Sequence, residues 1–218
     1  MRVPYFEADP PRKKPYVWPT WITKLIAKED KCWWKAWYKA RHKAEKKPDD
    51  PERADFFEEW TAKHDILVHN RAQELLDAGW DVRLEDETAF RLSGERADLQ
   101  GKPDLVATKD DEAIINDCKS GRHRDSDHWQ VLIYLFAMVV TKILGTRSIR
   151  GEVQYSDGLV PVRPLGPGEK DAIVSAILKV ASDIPPEAVP SAGECQYCDV
   201  AKCPVRYKKT EADASDLF

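Results

Sequence analysis

The first fifty residues combine an irregular arm with a helical pattern. Residues 1–16 are rich in proline and charge, which favours an extended arm. From Pro19 onwards, apolar residues recur at steps of three and four positions between Ile22 and Tyr38. This spacing predicts an amphipathic helix, and Cys32 falls inside it.

A second, longer helix is predicted after a break at residues 46–53. The prolines of this break end the first helix, and its aspartates can cap the next. The apolar face of the second helix runs from Phe56 to Leu75 and stops near Gly79, a residue type common just beyond helix ends.

After Gly79 the pattern changes to near alternation of apolar and polar residues, which predicts strands. The four candidate strand segments are residues 80–85, 88–94, 96–108 and 112–120. The later elements are a helix at 126–144, strands at 148–155 and 159–165 joined at Asp157-Gly158, and a helix at 167–184. This order indicates an α+β (mixed α/β) domain with a central sheet.

Length and composition limit the class of protein. With 218 residues and 42% hydrophobic content, the chain can form one domain with decorations around a sizeable core. Charged residues at 33% and the lack of a long apolar run exclude a membrane span. The first fifteen residues have no apolar segment after their positive charges, so we expect no secretory signal and a cytoplasmic location.

Positive charge is concentrated near the amino terminus. The formal net charge is −4, but residues 1–47 hold 13 Lys/Arg against 5 Asp/Glu. Five tryptophans are interleaved with these charges: Trp18, Trp21, Trp33, Trp34 and Trp37. Such a segment could follow a phosphate backbone and stack bases. The preferred alternative is an amphipathic helix with a tryptophan-rich core face and a solvated lysine face.

A group of polar residues falls between Gly101 and Tyr134. Asp117 and Lys119 are two apart on one predicted strand and therefore share a face, while the residue between them points the other way. Asp104, at the end of the neighbouring segment, can bring a second carboxylate beside them. Two close carboxylates favour a cation between them, and hard oxygen ligands suit Mg²⁺ or Mn²⁺. The pattern predicts metal-dependent hydrolysis, with the ammonium orienting the nucleophile or offsetting charge on a phosphate.

Two flanking helices can complete this site. Gln130 and Tyr134 are four residues apart, so they project from one helix face towards the same edge. They could position the phosphate or support the lysine. His69, on the long helix before the strands, could add an imidazole ligand to the metal.

The five cysteines indicate a second metal site. Their odd number argues against a disulfide framework. Cys195, Cys198 and Cys203 lie within nine residues, and Cys32 is available as a fourth ligand. Four thiolates can hold Zn²⁺ or an iron–sulfur cluster, and the spacing does not choose between them. Cys118 is expected to be a small core residue.

The order of these motifs resembles the RecB-like branch of the PD-(D/E)xK nuclease superfamily. The matching motifs are His69, GKPD, NDCKSG and Q-x-x-x-Y, over residues 64–134. The resemblance implies a restriction-endonuclease-like sheet and cleavage of DNA. The metal ligands it implies are His69, Asp104, Asp117 and the backbone carbonyl of Cys118. It also implies Lys119 as the catalytic lysine, Gln130 and Tyr134 as its supporting motif, His64 as the alternative histidine and Glu74 as a further acidic helper.

The cysteine layout resembles RecB-like nucleases of the CRISPR-associated exonuclease and AddB types. Those proteins have one upstream cysteine and three after the nuclease core, and the resemblance implies a structural [4Fe–4S] cluster held here by Cys32, Cys195, Cys198 and Cys203. The gap of four residues between Cys198 and Cys203 is about one residue shorter than the family's. The cluster would join the two ends of the chain around the nuclease core.

We therefore expect a metal-dependent DNA nuclease that processes DNA ends or single strands. The implied setting is CRISPR adaptation, with CRISPR integrase proteins as candidate partners. The alternatives are a phage or bacterial recombination nuclease of the same branch, and a non-catalytic iron–sulfur module that binds DNA or serves in assembly. The expected divisions are an amino-terminal region (1–50), a nuclease core (51–184), a cysteine segment (185–208) and a disordered tail (209–218).

Overall fold

The protein has a mixed α/β fold with two mixed sheets, seen in a computed structural model that describes residues 8–45 and 54–207. The helices are α1 (Pro19–Ile26), α2 (Trp33–Arg41), α3 (Ala54–Asp77), α4 (Asp125–Thr141), α5 (Pro167–Ala181) and α6 (Ala192–Gln196). The strands are β1 (Tyr16–Val17), β2 (Asp81–Leu84), β3 (Phe90–Ser93), β4 (Asp98–Gly101), β5 (Leu105–Lys109), β6 (Glu112–Lys119), β7 (Ser148–Tyr155) and β8 (Gly158–Val162). A short 3₁₀ helix, Glu85–Thr88, follows β2.

The larger sheet has the strand order β2-β5-β6-β7-β8, with β6 and β7 parallel and the other pairs antiparallel. Successive side chains of β6 pack on opposite faces: Ile114 joins Ala72 and Leu75 of α3, whereas Ile115 joins the core around Leu132 of α4. A strand covered on both faces needs no polar face, so residues 113–118 are buried without alternation.

The smaller sheet has the order β1-β4-β3, with β1 parallel to β4 and β3 antiparallel to it. Strand β3 contacts α4, and the main core joins this sheet to α1, α2, α4 and α5. The predicted strand segment 96–108 is thus two strands in different sheets. Pro103, which has no backbone N–H to donate, lies in the connection between them.

The helical pattern that begins at Pro19 is interrupted, contrary to expectation. Residues 27–32 separate α1 from α2, Lys28 has a φ of 60°, and Cys32 is the N-cap of α2 rather than a mid-helix residue. The interrupted stretch is mostly charged and offers the core little apolar surface. The apolar spacing continues beyond it because α1 and α2 pack on the same core.

Other expectations agree with the structure where it describes them. The hairpin at Asp157-Gly158 joins β7 to β8, and the helices predicted at 126–144 and 167–184 are α4 and α5 with shorter carboxyl ends. Trp34 is buried, and Trp21 and Trp33 pack against the main core, as in the core interpretation of the tryptophans. The break at 46–53 and the tail 209–218 lie outside the described residues. Within the described ranges, every helix is too short or too polar to cross a membrane.

A close contact between β7 and α4 gives a test of this packing. A Cβ added at Gly151 would lie 2.5 Å from Val131 Cγ1 and 3.0 Å from Leu135 Cδ1. We expect Gly151→Ala to lower the free energy of unfolding by about 1–3 kcal/mol, because the helix must move away from the sheet. Urea denaturation measures the change.

Gly168→Ala is the matched control, since no atom lies within 4 Å of its added Cβ in the first turn of α5. It should stay within about 1 kcal/mol of the parent. Equal destabilisation by both substitutions would contradict the described packing of α4 on β7.

Candidate active site

The site forms where β6 ends beside α4. Asp117 is 1% exposed, and its Oδ1 accepts a hydrogen bond from Gln130 Nε2 at 2.8 Å. Lys119 Nζ lies 2.5 Å from Asp117 Oδ2. Gln130 also donates to the Tyr134 hydroxyl at 2.9 Å, and that hydroxyl donates to the Lys102 carbonyl at 3.3 Å. The two polar residues of α4 therefore fix the orientation of the Asp117 carboxylate.

Asp104 approaches from the start of β5. Its Oδ2 accepts a hydrogen bond from the backbone N–H of Cys118 at 2.7 Å, so this carboxylate is held against β6. The N–H and C=O of one strand residue point to the same side, which directs the Cys118 carbonyl towards Asp104 as well. The Cys118 thiol is buried on the face opposite Asp117 and lies 3.4 Å from Asn116 Oδ1.

His64, and not His69, lies beside this group. His64 Nε2 is 3.2 Å from Asp104 Oδ2, whereas His69 is exposed and its Nδ1 lies 2.7 Å from the Asp65 carbonyl. The two histidines are five residues apart, about 140° around a helix. The sequence contains a signal for this placement, because His64 lies on the same helix face as three buried residues of α3: Val68, Ala72 and Leu75.

Glu74 also stands apart from the carboxylates. It is exposed and pairs with Arg71 at 2.9 Å. Arg71 in turn pairs at 2.7 Å with Glu152 of β7, which is 8% exposed. This ion pair joins α3 to the sheet, and it explains Glu74 as a surface partner of Arg71.

Sequence reasoning missed Asp127. This residue lies in the first turn of α4, is 8% exposed, and accepts a hydrogen bond from the Tyr155 hydroxyl at 3.1 Å. Its negative charge acts on both Asp117 and Lys119. The available signal was its position three residues before Gln130, which puts both on one helix face.

The charges of this group are strongly coupled. Burial, together with the nearby charge of Asp104, raises the pKa of Asp117 to about 6 despite the contact with Lys119. Burial acts to lower the pKa of Lys119, but Asp117 and Asp104 outweigh it and raise that pKa. The hydrogen bond with Asp104 raises the pKa of His64. Two carboxylates that repel each other here would gain from an added cation.

The donor set fits a hard divalent cation. Asp117 Oδ2 is buried and accepts no well-directed hydrogen bond from any described residue, although Lys119 Nζ is close. Asp104 lies on the neighbouring strand, and carboxylate oxygens are ligands that Mg²⁺ and Mn²⁺ accept. Within residues 8–45 and 54–207, no three His, Cys, Asp or Glu side chains stand close enough to hold a metal ion without adjustment.

The four remaining cysteines lie near one another, away from the carboxylates. Cys32, Cys195, Cys198 and Cys203 line one small cavity of about 20 Å³. Burial, with the neighbouring Cys198 and Cys32 thiols, raises the pKa of the Cys203 thiol. Thiols are ligands of Zn²⁺ and of iron–sulfur clusters, but these four do not stand close enough, as the described residues are placed, to form such a site without a shift.

Polar contacts hold the cysteine segment against α2. The Glu194 carboxylate accepts hydrogen bonds from the backbone N–H groups of Lys31 at 2.9 Å and Cys32 at 3.2 Å. Arg206 donates to the carbonyls of Cys195, at 2.7 Å, and Val200. The segment is therefore folded onto the amino-terminal helices by contacts independent of a metal.

A comparison with protein families gives a match over most of the chain. A family model described as the PD-(D/E)XK nuclease superfamily matches residues 22–204. A solved structure described as "Crystal structure of SSO0001" is 13% identical to this chain, with a TM-score of 0.42, and the match covers 86% of this chain and 84% of that one. No curated protein matches the chain significantly.

Proposed function

The chain belongs to the PD-(D/E)XK nuclease superfamily, and we propose that it is a Mg²⁺- or Mn²⁺-dependent DNA nuclease acting on DNA ends or single-stranded overhangs. The observation that carries this proposal is the meeting of Asp104, Asp117 and Lys119 at one edge of the sheet. Two carboxylates and an ammonium held together in this way are suited to hydrolysis of a phosphodiester.

The proposed metal ligands are Asp104, Asp117, the Cys118 carbonyl and His64. The contact between His64 and Asp104 supports the choice of His64 over His69. A bound divalent cation would supply Lewis acidity towards the phosphate and lower the pKa of a coordinated water.

The chain's own residues contribute orientation and charge. Gln130 holds one oxygen of Asp117, and the other, which lies beside Lys119, would be shared with the cation. Tyr134 fixes the Gln130 amide in turn. Lys119 keeps its proton because the carboxylates raise its pKa, so its ammonium can orient the nucleophile or stabilise negative charge on the phosphate. Asp127 adds negative charge that helps to keep Lys119 protonated.

We also propose that Cys32, Cys195, Cys198 and Cys203 hold a structural [4Fe–4S] cluster, with zinc as the alternative that metal analysis distinguishes. The shared cavity of these thiols supports a common site. The cluster would join the amino-terminal helices to the segment after the nuclease core and constrain the unfolded chain.

The proposed biological setting is the trimming of DNA before CRISPR integration, in association with integrase proteins. Recombination or repair in a phage or bacterium is the second candidate. Co-purification with a CRISPR integrase distinguishes these settings, because a recombination nuclease has no need of that partner.

Nuclease activity is tested with two substitutions in the site. Labelled single-stranded and duplex DNA are incubated with Mn²⁺ or Mg²⁺. We expect Asp117→Asn and Lys119→Met each to lower the cleavage rate by about 100-fold or more, because one weakens cation binding and the other removes the ammonium.

Asp111→Asn and Lys109→Met are the matched controls. Both residues lie in the β5–β6 turn region, away from the site, and these variants should cleave at the parental rate. A parent protein without metal-dependent cleavage would overturn the proposed function, as would full activity in Lys119→Met.

The choice of histidine is tested by the metal dependence of the cleavage rate. We expect His64→Ala to raise the Mn²⁺ concentration needed for half-maximal cleavage by about 10- to 100-fold. His69→Ala makes the same change on an exposed turn of the same helix and should have little effect. The reverse result would assign the ligand to His69.

The cysteine site is tested by metal content. Iron and zinc per chain are measured together with visible absorbance, and we expect Cys195→Ala to lose the bound metal and some stability. Cys118→Ala, which removes a buried thiol outside the cavity, should keep the metal. Stoichiometric zinc without iron would show that the site binds zinc and not an iron–sulfur cluster. A parent protein that contains neither metal would contradict the proposed metal site.

A further inference from the structure

An open cleft lies next to the candidate active site, lined by three cations and by three carboxylates, Glu29, Asp30 and Asp125. Its volume is about 650 Å³, and its lining includes Lys24, Arg122, Arg124, His128 and Tyr197. Arg122 follows Lys119 by three residues, so their Cα atoms are at most about 11 Å apart.

The cations of this cleft are available for an external anion. Lys24, Arg122 and Arg124 form no ion pair with another residue in the described part of the chain, and both arginines are exposed. Two acidic residues of the cleft already have partners within the protein. Glu29 accepts a hydrogen bond from the Ser126 N–H at 3.0 Å, and Asp30 pairs with Lys35 at 2.5 Å.

The loop carrying the arginines is held in place by the residue between them. His123 stacks on Tyr155, with ring centroids 3.6 Å apart, and its Nε2 lies 2.8 Å from Asp157 Oδ1. Tyr155 pairs in register with Lys119 across β6 and β7. Arg122 and Arg124 are therefore presented from a backbone anchored beside the catalytic lysine.

Tyr197 gives the cleft an aromatic surface. It lies between Cys195 and Cys198, and it is 69% exposed. An exposed aromatic ring beside phosphate-binding cations suits single-stranded nucleic acid, whose unpaired bases can stack on it, whereas the bases of a duplex are covered.

A second cleft carries more positive charge, from five cations against Asp98 alone, but its aromatic ring is covered. It is about 760 Å³ in volume and includes Lys13, Lys43 and Tyr16. The Arg12 guanidinium lies over the Tyr16 ring, 5.0 Å from its centroid. Two further cations of this cleft, Lys14 and Arg91, are paired with Asp98. This cleft therefore serves as a comparison surface.

We infer that the cleft lined by Lys24, Arg122, Arg124 and Tyr197 binds the single-stranded part of the substrate, with the arginines on phosphates and Tyr197 stacked on a base. The inference rests on the proposed function and adds to it the path of the strand. The cysteine segment would then also bind substrate, because Tyr197 lies within it.

The test is equilibrium binding of a labelled oligodeoxythymidine of about 20 nucleotides, measured by fluorescence anisotropy on the full chain without added Mg²⁺ or Mn²⁺. Arg122→Gln with Arg124→Gln should weaken binding by about 10-fold and reduce the salt dependence of log K by about 1.4, as expected for two lost phosphate contacts. Tyr197→Leu should weaken binding by about 10-fold, whereas Tyr197→Phe, which keeps the ring, should stay within about twofold.

The matched control is Lys13→Gln with Lys43→Gln, which removes the same charge from the second cleft. Its affinity should stay near that of the parent. The inference is overturned if both double variants weaken binding equally, if Tyr197→Leu binds like the parent, or if duplex DNA of the same length competes better than the single strand.

Separate measurements of DNA binding and DNA cleavage distinguish a failure of this inference from a failure of the proposed function. A parent that binds single strands through the cleft but never cleaves them contradicts the nuclease proposal alone. A parent that cleaves, but whose binding is unchanged in the arginine and tyrosine variants, contradicts the cleft alone. Circular dichroism of each variant shows whether a loss of binding reflects unfolding.

Discussion

The buried carboxylate of Asp117 is the constraint around which the rest of the candidate site is arranged. A charged group that is 1% exposed is costly unless its oxygens are paired. Gln130 satisfies one oxygen, and Lys119 stands close to the other without completing a well-directed hydrogen bond. The raised pKa of Asp117 records the remaining cost. A divalent cation would relieve this cost, so the burial of Asp117 favours metal binding.

Strand β6 makes this arrangement possible because both of its faces are covered. Asp117 and Lys119 face α4, while Asn116 and Cys118 face the other way. The backbone of Cys118 then holds Asp104 from the neighbouring strand, and Asp104 contacts His64 of α3. Side chains from α3 and α4, which lie on opposite faces of the sheet, thus reach the same end of β6. A shift of one residue in the register of β6 would exchange the two faces.

Helix α2 and the cysteine segment pack against each other and form a structural unit beside the candidate active site. Glu194 binds the backbone where α2 begins, Lys39 pairs with Asp199, and Trp34 and Tyr38 pack with Val200. Glu29, from the connection before α2, accepts a hydrogen bond at the start of α4. The position of the cysteine segment is therefore linked to the helix that carries Gln130. The packing of the cysteine segment on α2 can therefore affect the position of α4 in the candidate site.

By itself, the sequence determined the elements and the chemistry that depends on local spacing. Strand alternation put Asp117 and Lys119 on one face, a four-residue step put Gln130 and Tyr134 together, and Asp157-Gly158 marked the hairpin. Only the tertiary structure decided which distant residues meet. It placed His64, rather than His69, beside Asp104, because the rotation of α3 relative to the sheet depends on packing, and it interrupted the predicted first helix at Lys28. It also brought Tyr197 to the cleft, since that residue is too far along the chain from Arg122 for a local pattern to link them.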